Sequence, residues 1–101
     1  MTRATGHELA KVVRRSLKDY RFVHESHAPL VARAQDVVAA YTAGIERLTW
    51  LIGMLDGAGD NPERVALALD LAEVRRSQAP NDTWYVEVID EIQILFGGPD
   101  T

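Results

Sequence analysis

The chain has 101 residues, 47% of them hydrophobic and 26% charged, with a net charge of -4 and no cysteine. That length holds one domain, which buries about 65% of its unfolded surface and needs no staples. The missing cysteines exclude disulfides, thiolate metal sites and a thiol nucleophile, and no run of about 18 apolar residues is present to span a membrane.

The first helix is expected over 7–27. Leu9, Val12, Val13, Ser16, Leu17, Tyr20, Val23, His24 and His27 share one broad face at 100° per residue. Lys11, Arg14, Arg15, Lys18 and Arg21 share the opposite face, with Phe22 among them. Thr5 followed by Glu8 reads as a capping box. Pro29 is expected to end this helix and to fall in the first turn of the next.

The second helix, over 30–56, organises the rest. Val31, Ala34, Val38, Tyr41, Ile45, Leu48, Ile52 and Leu55 alternate steps of three and four without a break. The flanking positions include Leu30, Val37, Gly44 and Leu51 and carry little charge. That favours the middle of a bundle over a free coiled coil. Trp50, Gly53 and Met54 point away from the seam, to be covered by the first or the fourth helix or left for a partner. Gly57 is expected as the left-handed cap.

Asp60 or Asn61 caps a third helix over 62–79, with Pro62 in its first turn and Arg75 and Arg76 in its last. Its apolar stripe is read as Leu67, Leu71 and Val74, widened by Val65, Ala68, Leu69 and Ala72. The turn Pro80-Asn81-Asp82 leads to 83–96. Thr83 to Ile89 has strand-like propensity, but Trp84, Tyr85, Val88, Ile89, Ile92, Leu95 and Phe96 keep a helical period, so a helix is expected. Gly97-Gly98-Pro99 ends it. Short connections make neighbours antiparallel, and the expected fold is all-α: a single-domain antiparallel four-helix bundle built around the long central helix.

Charge is uneven. Through Arg33, seven cations face three acids, a balance of +4, so the remainder carries -8 of the total -4. His24 and His27 are one helical turn apart, but a divalent ion needs about three or four ligands and no further one is in reach. No metal, cofactor or catalytic group is expected: the serines lie in no nucleophile motif, and Gly57 and Gly59 precede no Gly-Lys-Ser/Thr.

Three readings of function remain. The leading one is a small non-enzymatic module that occludes or bridges a partner protein, of the immunity, anti-defence or adaptor kind. Arginine-rich, lysine-poor composition suits a bacterial or phage source. Trp50 and Met54 would anchor it, and the acidic face of Asp70, Glu73, Glu87, Asp90 and Glu91 would steer it. The second is a nucleic-acid-associated regulator using Lys11, Arg14, Arg15, Lys18 and Arg21. The third is a homodimer formed through the second helix. The opening Met1-Thr2-Arg3-Ala4-Thr5-Gly6 lacks the apolar core of a signal peptide, so a cytoplasmic setting without a membrane partner is expected.

Overall fold

Four helices form the fold in a computed structural model that describes residues 4–31, 35–79 and 81–97, with the backbone alone at 24–31 and 35–38. They are α1 (Gly6–Val31), α2 (Gln35–Ala58), α3 (Pro62–Gln78) and α4 (Thr83–Phe96). Among the described residues there is no strand, and the segment from Thr83 is helical. Each helix packs on its chain neighbours, and α4 returns to α1, closing an antiparallel bundle in which α1 on α2 is the most extensive pairing.

The caps explain where the helices start. The Thr5 hydroxyl accepts from the Glu8 amide at 3.2 Å, and the Glu8 carboxylate accepts from the Thr5 amide at 3.1 Å, so the capping box forms. Asn61 rather than Asp60 caps α3, accepting from the amides of Glu63 and Arg64. Asp82 caps α4 by accepting from the Tyr85 amide, and its carboxylate also meets the Arg47 guanidinium of α2 at 2.5 Å.

Three boundaries differ from the sequence expectation. First, α1 runs through Pro29 to Val31, and α2 starts at Gln35 rather than 30. A proline forfeits one N–H bond and crowds the preceding turn, about 3 kcal/mol in a helix interior. So close to a helix end, little of the ladder lies beyond it to disturb. Second, the left-handed residue after α2 is Gly59, at φ +57°, not Gly57. α2 continues to Ala58, which is buried, and so gains the contact that an earlier stop would lose. Third, α3 ends one residue early, with Ala79 as its cap.

The core is built from Leu9, Val13 and Tyr20 of α1, Leu48, Leu51 and Leu55 of α2, Val65 and Leu69 of α3, and Tyr85, Ile89 and Ile92 of α4, all buried. On α2 the fully buried line is Gly44, Leu48, Leu51, Leu55 and Ala58, while Tyr41, Ile45 and Ile52 are half-buried. The heptad seam is thus rotated by about one position. The reason is that α2 touches α1, α3 and α4 at once, so the centre of its buried arc lies between neighbours. Val31, Ala34 and Val38, the start of the seam, lie outside the described side chains.

The α3 stripe requires the largest correction. Val65, Ala68, Leu69 and Ala72 are buried, whereas Leu67, Leu71 and Val74 are 57%, 39% and 54% exposed. Packing of α3 is on α2 and α4, so one arc of it is covered. The arc that contains the two alanines is the one that lets the helices approach.

α1 begins where α2 ends. The Gly6 amide donates to the Gly59 carbonyl at 2.6 Å, and a Cβ on Gly6 would lie 2.8 Å from that oxygen and closer still to the Leu55 carbonyl. Glycine is required at this crossing.

Candidate interaction surfaces

The outward face of α1 carries Lys11, Arg14, Arg15, Lys18 and Arg21, all exposed. They do not act as one set. Arg14 turns to Asp56 on α2, which also has His7 Nδ1 3.1 Å from its Oδ1. The His7 hydrogen bond first, and then Arg14, hold the Asp56 carboxyl below its ordinary range, although burial pulls the other way. Lys11, Arg15, Lys18 and Arg21 remain along about three turns of helix. His24 and His27 lie outside the described side chains, and among the described residues no group of three His, Asp or Glu gathers to hold a metal.

The acidic residues gather around the α3–α4 seam. Arg76 of α3 bridges Glu73 at 2.8 Å and Asp90 of α4 at 2.9 Å, and the Gln93 amide donates to Glu73 at 3.0 Å. Asp70 lies one turn from Glu73, and Glu87 one turn from Asp90. Glu87 and Glu91 continue around α4 to an open groove against α1, about 280 Å³, floored by Val12, Trp84 and Val88. The outward side of α4 is not purely acidic. Ile94 and Leu95 are 69% and 48% exposed, and Ile94 lies within one turn of both Asp90 and Glu91.

The expected anchor is only partly available. Trp50 and Met54 are half-buried against the core, and the Arg75 guanidinium of α3 lies 4.6 Å over the Trp50 ring. A cation in that position gains about 0.5–1 kcal/mol from the ring when exposed. Cover therefore comes from α3, not from α1 or α4.

A second cleft, about 480 Å³, opens where the α3–α4 turn meets the α1–α2 hairpin. Tyr20 and Trp84 form its floor, ring centroids 5.5 Å apart and edge to face, and the Arg47–Asp82 pair forms a wall. That pair is internally neutral, and Asp82 is committed to its cap.

Leu67, Leu71, Val74 and Leu95 belong to the apolar stripes read from the sequence yet lie exposed, and Ile94, which that reading leaves unplaced, is exposed with them. One signal did exist: α3 is apolar on two arcs, and each helix of a four-helix ring leaves one arc uncovered.

The fold and its surfaces define an all-α antiparallel four-helix bundle with a basic face on α1, acidic residues along α3 and α4, and exposed apolar side chains on both of those helices. No protein-family model, curated protein or solved structure matches the chain.

Proposed function

We propose that the chain is a small, non-enzymatic protein-binding module that docks the outward side of α4 on a basic partner and occludes or bridges it. The observation that carries this reading is the exposure of Ile94 and Leu95 beside Glu87, Asp90 and Glu91. Apolar side chains beside a mainly acidic rim, in which Arg76 holds only Asp90, combine an anchor with steering. The matching surface is an apolar pocket rimmed by Lys and Arg. Absence of cysteine suits a cytoplasmic setting, and no described helix is long and apolar enough to cross a membrane.

The test is a comparison of baits in nuclease-treated extract of the source organism: the natural chain, Ile94→Asp, and Glu87→Lys with Glu91→Lys. The expected result is a stoichiometric protein that Ile94→Asp loses and that the charge reversal releases at lower salt. Identical capture by all three baits refutes the α4 face.

A second reading rests on Lys11, Arg15, Lys18 and Arg21, which are exposed along one side of α1. It predicts recovery of nucleic acid from extract without nuclease. The log of affinity would then fall against log salt by about 0.9 per neutralised phosphate, and reversal of Lys11, Arg15 and Lys18 would abolish binding.

A further inference from the structure

The α2–α3 seam is a third surface, chemically unlike the other two. The two helices are antiparallel, and Arg75 records their register: its guanidinium lies over Trp50, and its Nη2 is 3.9 Å from Glu46. One turn of α2 toward its C-terminus therefore matches one turn of α3 toward its N-terminus. Trp50 comes level with Leu71, and Met54 with Leu67. The half-buried Trp50 and Met54 thus join the exposed Leu67, Leu71 and Val74 in one apolar surface across the seam. Thr49 and Gly53 continue it on α2, and a Cβ on Gly53 would meet nothing within 4 Å.

We infer that this surface binds a second copy of the chain in a closed two-fold dimer. The argument is charge and area. A two-fold axis sets a patch against itself, so a face of one sign repels its mate. The α1 face would oppose Lys11, Arg15 and Lys18 to their own kind, and the α4 face Glu87 and Glu91. Around its apolar centre the seam carries Glu46, Glu63 and Asp70 as well as Arg64 and Arg75, so each copy offers both signs.

The side of the bundle that carries the seam has room for an interface. α3 has 17 residues, about 25 Å at 1.5 Å per residue. Across the 22 Å breadth of the bundle that gives about 550 Å² in projection. An ordinary stable interface takes roughly 800 Å² per partner, so the dimer uses this whole side of the bundle, with the apolar seam at its centre. The α4 face stays open in both copies, so this dimer is independent of the partner proposed above.

The experiment is sedimentation velocity on the purified full chain, from low micromolar to several hundred micromolar. A concentration-dependent monomer–dimer equilibrium is expected, weakened about tenfold or more by Leu67→Glu with Leu71→Glu. Both leucines are exposed, so that variant keeps its fold, which circular dichroism checks. Ile94→Glu should leave the dimer unchanged. The inference is overturned by a monomer throughout, by a dimer that the leucine substitutions leave intact, or by growth beyond two copies.

Discussion

Two glycines of α2 should respond oppositely to the same substitution. In a helix interior, Gly→Ala stabilises by about 0.5–1 kcal/mol through propensity alone. Gly53 is exposed, with nothing within 4 Å of an added Cβ, so Gly53→Ala should realise that gain. At Gly44, which is buried, the Cβ would lie 2.8 Å from Tyr20 Cζ and nearer still to the hydroxyl. The ring cannot swing aside freely. It is stacked on Tyr41 at 5.4 Å and set edge-on to Trp84 at 5.5 Å, and its residue is 4% exposed. Overpacking of this kind costs about 1–3 kcal/mol. Because both variants share the propensity gain, their difference isolates the steric cost. Gly44→Ala should therefore unfold roughly 5–20 °C below Gly53→Ala, at about 4–8 °C per kcal/mol for a domain near this size. Thermal unfolding followed by far-UV circular dichroism measures that shift, and urea denaturation gives the free-energy difference, with unchanged m values as the check on compactness. Tyr20→Phe removes the nearest atom and should restore part of the loss in a double-mutant cycle. Equal stability of the two alanine variants would refute the close approach of α1 to α2 at Gly44.

Further expectations concern the ends of the hairpin and two ionisable groups. Gly6→Ala should cost about 2–4 kcal/mol, since it overpacks two backbone carbonyls and loses the bond to Gly59; a loss under about 0.5 kcal/mol would disprove that contact. Asp56 has a lowered pKa, so its contribution is present above the unfolded carboxylate value of about 3.9 and is lost as pH falls through the folded value. Titration by NMR should give a depressed midpoint that His7→Ala raises, and an ordinary midpoint would deny the His7 and Arg14 contacts. Burial first of all pushes Tyr85 up to about 12, and its hydroxyl donates to the Ala72 carbonyl at 3.0 Å. That contribution is whole below the unfolded value of about 10 and is lost as pH rises toward the folded one. Tyr85→Phe should cost about 1 kcal/mol and remove this alkaline loss, as read from stability against pH.

Local signals in the sequence were reliable where one interaction decides the outcome. The Thr5–Glu8 box, the cap before Pro62 and the helical period from Trp84 to Phe96 all depend on residues within one or two turns, and each appears as expected. The signals that failed depend on what lies opposite. Leu67, Leu71 and Val74 are as apolar as Val65, Ala68, Leu69 and Ala72, and only the positions of α2 and α4 decide which arc is covered. Pro29 failed for a different reason: it lies two residues from the end of α1, where little of the hydrogen-bond ladder is left to disturb. Of the surface residues, the acids could be named but not arranged. That Arg76 sits between Glu73 and Asp90, and that Arg14 leaves its row for Asp56, follows from side chains on separate helices.

The two indoles occupy different joints of the bundle, and this makes the chain its own optical reporter. Trp84 of α4 rests edge-on against Tyr20 of α1, while Trp50 of α2 lies beneath Arg75 of α3. Excitation through the tyrosine band should pass by resonance transfer mainly to Trp84, whose emission then records whether α4 has docked on the hairpin. Emission from Trp50 records whether α3 has closed. Removing either indole leaves a single-fluorophore protein that follows one joint alone. Stopped-flow traces of the two would coincide if the bundle closes in one cooperative step, and would separate if the α1–α2 hairpin forms before α3 and α4 fold back on it.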